Sequence, residues 1–216
     1  MKSKRHIEEL TTPELIEDLL KDPNISPESR IRLEAVLHSS RVDQELIYRD
    51  NLTGLYKIGK NDLQDILEDE VTFSEETGYP FTVGMVDKTG LWWYNKHGHD
   101  IGDRAIIETA NFLQKNLRPY DSVLGRRADA GDEFYLIIRG MDQKDAEAKR
   151  QQLIAESKKT IFYNQPLLMA VGLESFQLDT GIKGALQAVK HADKKLNEHK
   201  TEIYKKYPQF DKTKSY

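Results

Sequence analysis

The chain alternates between short, continuous apolar runs, which are typical of buried strands, and longer segments whose apolar residues repeat at helical spacing. Phe81–Asp87 is one such run, and it ends on a carboxylate. After it, Ile106, Ala110 and Leu113 lie three or four residues apart and predict a helix over 98–116. The same patterns predict a helix over 145–159, a strand over 167–172 and a last helix over 184–200.

Two strand-like runs, 122–125 and 135–138, lie on either side of a tight turn, so we predict a β-hairpin between them. Strands that alternate with helices, together with a hairpin, indicate an α/β (α+β) fold in which helices cover a mixed sheet. We predict a helical extension over 1–47, this domain over 48–207 and a solvated tail over 208–216.

The first 47 residues carry two helix starts of their own. Thr11 and Glu14 have the spacing of a capping box, and Ser26 followed by Pro27 opens a second helix. The two helices could simply pack on the following domain, or they could form a stalk that dimerises and sets whether two domains meet. The sequence leaves both interpretations open.

The turn of the predicted hairpin displays two adjacent carboxylates, Asp132 and Glu133, directly before Phe134. Acidic side chains on a rigid turn, with no cationic partner in the adjacent sequence, suit a hard cation such as Mg²⁺ held beside phosphates. Gly-Asp is also ordinary turn chemistry, so a solvated turn is the simpler interpretation of this segment taken alone.

A second acidic position lies upstream of the hairpin. Asp87 ends a buried strand next to a loop containing Gly90, a placement that suits a metal ion and phosphates bound by backbone N–H groups. Asn95 and Asp103 follow, near the start of the next helix. An amide that donates and accepts, beside a carboxylate that accepts, matches the edge of guanine, which presents a carbonyl beside two donors.

These motifs, in their order and near-correct spacing, resemble the GGDEF-domain family of bacterial diguanylate cyclases, which condense two GTP into cyclic di-GMP. Residues 50–55 resemble the family's opening D-x-L-T-G-L, and 98–103 match G-H-x-x-G-D. Residues 130–134 match the signature as an AGDEF variant, and 192–200 resemble A-D-x-A-L-Y-x-A-K. The resemblance covers 48–207 and implies a palm-like, nucleotide-cyclase-like sheet.

The resemblance also implies a role for each matching residue. Asp132 and Glu133 would be catalytic, with Glu133 completing the metal site or helping to deprotonate the attacking 3′-hydroxyl. The remaining implied assignments are two Mg²⁺ or Mn²⁺ ions held by Asp87, the carbonyl of Lys88, Asp132 and Glu133; guanine bound by Asn95 and Asp103; phosphate bound by Gly90, Leu91 and Lys200; and a signature hairpin shaped by Ala130, Gly131 and Phe134.

Partners follow from the same resemblance. Each subunit would bind one GTP, so two subunits of a homodimer must face each other before both 3′-O–P bonds can form. Arg118 and Asp121 resemble the family's R-x-x-D site, at which the product cyclic di-GMP binds and inhibits. About three extra residues around 126–129 separate this Asp from the signature, which sets this chain apart from the family pattern.

Other departures support a second interpretation. Ala130 replaces a Gly, which would cost about 1–2 kcal/mol of strain if the position required positive φ. Trp92 stands where the family usually has Lys, and the family's phosphate-binding Arg beyond Lys200 is absent. The alternative to an active cyclase is a non-catalytic GGDEF module that binds GTP or cyclic di-GMP and regulates a partner.

Composition narrows the remaining classes. The 216 residues carry a net charge of −4 and no long basic stripe, which argues against a nucleic-acid partner. We find no apolar run near the ~20 residues of a membrane span, and the basic start at 1–5 lacks the apolar core of a secretory signal. With no Cys, disulfides and thiolate metal sites are excluded. We therefore expect a cytoplasmic protein.

Overall fold

The computed structural model describes residues 12–45, 49–118 and 122–214. The chain divides into two compact units, Met1–Ile47 and Tyr48–Tyr216. Among the described residues, we find no helix that is both long enough and apolar enough to cross a membrane.

The first unit contains a pair of helices, α1 (Thr12–Leu19) and α2 (Pro27–Glu45). Ser26 caps α2, because its hydroxyl accepts a hydrogen bond from the backbone N–H of Ser29 at 3.1 Å. The guanidinium of Arg30 donates to the carbonyl of Leu20 at 2.6 Å and so ties α2 to the end of α1. The cap predicted at Thr11 lies outside the described residues.

The second unit holds the remaining elements. In chain order they are β1 (Tyr56–Ile58), α3 (Lys60–Thr77), β2 (Phe81–Asp87), α4 (Leu91–Asn95), α5 (His99–Asn116), β3 (Ser122–Arg127), β4 (Glu133–Arg139), α6 (Gln143–Lys159), β5 (Ile161–Phe162), β6 (Gln165–Pro166), β7 (Ala170–Ser175), α7 (Gly181–Lys206) and two 3₁₀ turns at Pro208–Phe210 and Lys212–Lys214.

Five of these strands form one mixed sheet in the order β1-β3-β4-β2-β7. The pair β1–β3 is parallel, and the other neighbouring strands are antiparallel. The short strands β5 and β6 pair only with each other. The predicted fold class, an α/β domain with a mixed sheet, is confirmed.

Helices cover both faces of the sheet. On one face, Ile106 of α5 and Leu153 of α6 belong to the same core cluster as Phe134 and Val171 of the strands. The next residue, Gly172, points to the opposite face, where an added Cβ would lie 1.8 Å from a backbone oxygen of α7. Glycine therefore lets α7 lie directly on β7, and α7 also packs against α3 and β2.

One strand prediction is displaced. The strand predicted over 167–172 lies instead at Ala170–Ser175. Leu167 and Leu168 are fully buried, as their apolar character requires. Their N–H groups, however, donate to the carbonyls of Thr160 and Pro166, at 2.7 and 2.8 Å, and not to a neighbouring strand. An apolar run thus reports burial, whereas strand pairing depends on where the backbone groups find partners.

The prediction of a solvated tail is wrong for part of the segment. Beyond α7 the chain makes a 3₁₀ turn that carries Phe210 into the domain, where its side chain is 0% exposed. The neighbouring Asp211 is also buried. This segment therefore belongs to the folded domain up to these residues.

The edge strand β7 has its outward backbone groups occupied by helix side chains. His199 Nδ1 accepts a hydrogen bond from Val171 N at 3.2 Å, and Arg150 Nε donates to Val171 O at 2.9 Å. Lys195 Nζ donates to Leu173 O at 3.1 Å. These bonds protect an otherwise open sheet edge from pairing with another chain.

The edge bond at His199 generates a pH-dependent stability. Burial, with Arg150 and Lys158 acting in the same direction, lowers the pKa of His199 from 6.5 to about 4. As the pH falls, the His199 imidazole is therefore protonated at a higher pH in the unfolded chain than in the folded chain. The contribution of the neutral His199 to stability is complete above pH 6.5 and is lost as the pH falls towards about 4.

We expect this loss to reach up to about 3 kcal/mol, as measured by urea unfolding across that pH window. His199→Gln should show a shallower fall, because glutamine can accept the same hydrogen bond without titrating. His191→Gln, on the exposed side of the same helix, should keep the wild-type slope. Parallel curves for wild type and His199→Gln would contradict the assignment.

A buried ion pair joins α3 to the end of β4. Glu70 accepts from Arg139 Nε at 2.9 Å and from Arg139 Nη2, and each residue is 1% exposed. Glu70→Ala should lower the free energy of unfolding by about 3–5 kcal/mol, because it leaves a guanidinium buried without this carboxylate. Glu68→Ala, at an exposed position of the same helix, should cost less than about 0.5 kcal/mol in the same urea titration. Equal losses of unfolding free energy in Glu70→Ala and Glu68→Ala would show that the buried ion pair does not stabilise the fold.

Candidate functional site

The pairing of β2 with β4 brings the predicted acidic residues together. Asp87 lies opposite Glu133 in the antiparallel register. The backbone N–H of Lys88 then donates to the carbonyl of Asp132 at 2.8 Å, which holds the hairpin turn against the end of β2. Asp87 is 1% exposed, whereas Asp132 and Glu133 are partly exposed.

Helix α7 brings a positive charge to this point. Lys200 Nζ lies 2.5 Å from Asp87 Oδ2, and the hydroxyl of Thr89 donates to Asp87 Oδ1 at 3.0 Å. Burial alone would lower the pKa of Lys200, but the attraction of Asp87 outweighs it, so the pKa is raised. Lys200 therefore stays protonated and neutralises part of the acidic charge.

The two aspartates repel each other. Burial, and then the negative charge of Asp87, raise the pKa of Asp132 above its ordinary value, although Lys200 acts in the opposite direction. A cation bound between two carboxylates relieves the repulsion between their negative charges, so such a pair favours cation binding. The position of the Lys200 ammonium already shows that the site accepts positive charge.

The donor set fits a cation that shares its ligands with a substrate. Within the described residues, no three His, Asp or Glu side chains are grouped as a self-sufficient metal site. Mg²⁺ is commonly held by one or two carboxylates together with substrate phosphates, and not by an all-protein cage. Asp87 and Asp132 supply such a pair.

The expectation that the acidic pair has no cationic partner nearby in sequence is wrong for Glu133. Arg127 Nη1 donates to Glu133 Oε2 at 2.6 Å, and Arg127 Nε donates to Asp129 Oδ1 at 2.7 Å. The hydrogen bond to Asp129, opposed by burial and assisted by Glu133, raises the pKa of Arg127. Arg127, the last residue of β3, thus supplies a counter-charge to Glu133.

The alanine of the signature causes no strain of the kind considered above. Ala130 does not belong to the described residues with positive φ. The turn is held instead by Arg126, whose Nε and Nη2 donate to Gly131 O at 2.9 and 2.6 Å. Arg126 Nη1 also contacts both carboxylate oxygens of Asp50 at 2.9 Å, which links the turn to the first motif of the domain.

The loop after β2 turns at Gly90, one of the residues predicted to bind phosphate. Gly90 has a φ of +79°, a conformation that other residues rarely adopt, and it precedes the short helix α4. Leu91 packs against the hydrophobic core and so anchors the start of this helix. The N–H groups that open α4 are thereby held beside the end of β2.

The predicted guanine contact Asn95 packs against α5, the helix that carries the other predicted contact, Asp103. An added Cβ at Gly102 would lie 1.8 Å from Asn95 Oδ1, so the amide of Asn95 rests against the first turn of α5. Asp103, the next residue, is exposed. The structure therefore explains two positions of the G-H-x-x-G-D motif. The second glycine leaves space for the Asn95 amide, and the aspartate that follows it lies on the surface.

Comparison with known families agrees with this geometry. The family described as "Diguanylate cyclase, GGDEF domain" matches residues 47–205. The chain belongs to this family. The predicted membership is thus confirmed, and the GGDEF domain accounts for most of the chain.

Individual relatives extend the comparison. The bifunctional diguanylate cyclase/cyclic di-GMP phosphodiesterase MucR of Pseudomonas aeruginosa is 34% identical over 134 residues, which are 57% of this chain but 18% of MucR. The GGDEF domain of DgcB from Caulobacter crescentus, in complex with c-di-GMP, has a TM-score of 0.60 at 19% identity, over 72% of this chain and 91% of that one. This likeness concerns the fold.

A further crystal structure contains a partner protein. Diguanylate cyclase SiaD of Pseudomonas aeruginosa, in complex with its activator SiaC, has a TM-score of 0.59 at 25% identity. The match covers 81% of this chain and 70% of SiaD.

Several groups of the GGDEF site escaped the sequence analysis. The Lys88 side chain is fully buried, and its Nζ donates to Leu168 O at 3.2 Å and lies 4.3 Å from the centroid of the Tyr94 ring. Burial lowers the pKa of Lys88 to about 7, against the pull of Asp87. Thr89 and Arg127 were also overlooked. Thr89 adjoins the motif in sequence, whereas Lys88 and Arg127 gave no local signal of where their charges would lie.

The residues of the predicted inhibitory site are only partly described. Arg118 follows α5, and its Nη2 donates to Arg139 O at 3.1 Å. Asp121 lies outside the described residues. The R-x-x-D site stays a prediction.

Proposed function

We propose that this GGDEF domain is an active diguanylate cyclase that converts two GTP into cyclic di-GMP and two pyrophosphates. The observation that carries the proposal is the convergence of Asp87 and Asp132 at the paired ends of β2 and the signature turn, with the Lys200 ammonium against them. A centre of this kind suits the transfer of a nucleotidyl group, whose phosphates need cationic neutralisation.

Asp87, Asp132, Glu133 and the carbonyl of Lys88 would hold divalent cations. When bound, Mg²⁺ or Mn²⁺ would polarise the α-phosphate and neutralise charge on the departing pyrophosphate. Lys200 supplies a further positive charge from the protein itself. The backbone N–H groups of Gly90 and Leu91, where α4 begins, would bind phosphate oxygens.

The alternative role for Glu133, in place of binding a cation, is that of a general base. The 3′-hydroxyl of one GTP attacks the α-phosphorus of the other, and its proton must leave as the new O–P bond forms. Glu133 can accept that proton once its hydrogen bond with Arg127 opens. Arg127 is then free to remain beside the phosphates, where its charge is favourable.

Guanine selection would come from Asn95 and Asp103. An amide and a carboxylate that pair with the guanine edge are left without partners when adenine binds, which disfavours ATP. One GTP would bind to each chain, so a homodimer is required for both new ester bonds. The helices of the first unit could serve as the dimerising stalk, and Arg118 with Asp121 as the product-inhibition site.

One observation favours the alternative of a non-catalytic module. Glu133 is occupied by Arg127, and Asp87 is occupied by Lys200, so both acidic groups are neutralised without a metal. A domain that never exchanges these partners could still bind GTP or cyclic di-GMP and regulate another protein. Turnover separates the two functions.

The first experiment is incubation of the purified protein with GTP and Mg²⁺, followed by chromatography of cyclic di-GMP and pyrophosphate. We expect wild type to form both products and Asp132→Ala to lose at least about 10³-fold in rate, since a carboxylate central to the charge arrangement is removed. Asp69→Ala, at an exposed position of α3, should keep the wild-type rate. Binding of GTP without product at high protein concentration would establish the alternative.

The guanine contact is tested by a double-mutant cycle. Gly102→Ala should weaken GTP binding by about tenfold or more, because its Cβ displaces the Asn95 amide. Asn95→Ala should weaken binding similarly, while adding Gly102→Ala to Asn95→Ala should change little. Calorimetric titration of the three variants with GTP measures these effects, and additive losses would refute the proposed contact.

A further inference from the structure

The segment after α7 returns to the nucleotide loop. We name residues 207–213 the C-terminal strap. Phe210, at its centre, is fully buried, and its carbonyl accepts a hydrogen bond from Trp92 Nε1 at 2.6 Å. Trp92 belongs to α4, so the strap and the helix that follows Gly90 are joined by both a hydrogen bond and packing.

The contact between Phe210 and Gly90 is unusually close. A Cβ added at Gly90 would lie 2.5 Å from Phe210 Cδ1 and 2.8 Å from Phe210 Cβ. Two constraints thus require glycine at position 90: the backbone has a positive φ, and the Phe210 ring leaves no space for a Cβ. The Phe210 ring also lies 5.2 Å from the ring of Trp93 and 6.0 Å from that of Tyr94, measured between centroids.

A second element supports α4 from the β5–β6 hairpin. Tyr163, at the tip of that hairpin, has a φ of +50°, which is uncommon for a bulky residue. Its ring lies 6.2 Å from that of Trp93 and 5.3 Å from that of His97, between centroids. The structure therefore places aromatic contacts around a helix of only five residues.

A helix this short has little stability of its own, because nucleation costs more than its few hydrogen bonds return. Its conformation must therefore come from tertiary contacts. The two ends of α4 carry the groups that matter for GTP in the proposed function, namely the Gly90 turn and Asn95. Any contact that sets α4 also sets these two groups relative to each other.

We propose that Phe210 is a positioning residue for GTP binding, which acts through α4 by holding the Gly90 turn and Asn95 in their binding arrangement. This inference rests on the proposed function, since GTP is the ligand that α4 receives. Phe210 lies beyond residue 205, where the match to the GGDEF family ends, so the strap is a component of the site that this match does not include.

The experiment uses the full chain and two readouts. The chain's two tryptophans both lie in α4, so their fluorescence reports directly on this helix. GTPαS serves as the nucleotide probe, and calorimetry measures its dissociation constant. Phe210→Ala should raise that constant about tenfold if the competent arrangement of α4 falls to about a tenth of the population. The tryptophan emission should shift to longer wavelength as α4 loosens.

Phe176→Ala is the matched control. Phe176 is buried and stacks on Phe81 with 4.8 Å between ring centroids, at the opposite end of β2 from Asp87. The six intervening steps put it roughly 20 Å along the strand from the site. It should lose thermal stability as Phe210→Ala does, but keep the dissociation constant for GTPαS within about twofold and the tryptophan emission unchanged.

Two milder variants keep the test decisive if Phe210→Ala fails to fold. Phe210→Leu should restore most of the affinity because it refills the space above Gly90. Trp92→Phe removes the hydrogen bond to the strap but keeps an aromatic ring, and should weaken binding by about twofold to fivefold, with Trp93 as reporter. In the turnover assay, KM for GTP should rise in these variants more than kcat falls.

The outcomes separate this inference from the proposed function. Wild-type affinity in Phe210→Ala, or an equal loss in Phe176→Ala, would overturn the positioning role while leaving the cyclase intact. If wild type itself bound no GTPαS, the proposed function would fail and this inference with it. Weaker binding and shifted emission in the Phe210 and Trp92 variants, but not in Phe176→Ala, would establish the positioning role of Phe210.

Discussion

In the central sheet, β2 and β4 run antiparallel with Asp87 opposite Glu133, and the placement of the site depends on this register. Because side chains alternate between the faces of a strand, a slip of one residue would move every side chain of β4 to the other face. Both faces of β4 are buried, and Phe134, Leu136 and Ile138 belong to one core cluster, so such a slip would bring Tyr135, Ile137 and the charged Arg139 to that face instead. The hydrophobic core thereby fixes the position of the acidic turn.

Charge in the site is balanced by the protein itself. Asp87 pairs with Lys200, Glu133 with Arg127, and Asp50 with Arg126. Buried or half-buried carboxylates are costly without such partners, so these pairs allow the acidic groups to lie close together before a ligand arrives. In the proposed function, a cation and a nucleotide would replace Lys200 and Arg127 as partners of these carboxylates.

The short helix α4 shows the same dependence on distant parts of the chain. Trp92 bonds to Phe210, 118 residues later, and the rings of Trp93 and Tyr94 pack beside it. The indole of Trp92 thus has a hydrogen-bond partner within the protein.

The sequence by itself determined the strand Phe81–Asp87, the family, and the helices α5 and α6 to within two residues at each end. It also determined α7, although that helix runs six residues beyond the predicted end at residue 200. These features follow from local periodicity and from motifs whose residues lie close together in the chain. It also indicated the order of the acidic and polar groups. It did not predict α3, α4 or the β5–β6 hairpin.

Only the tertiary structure decided which charges meet. Lys200 reaches Asp87 across 113 residues, and Phe210 reaches Trp92 across 118, so no local pattern could reveal either contact. The segment that begins at Leu167 is apolar and buried, yet its first N–H groups pair outside the sheet. Periodicity reports which residues avoid water, whereas partners depend on how the elements pack together.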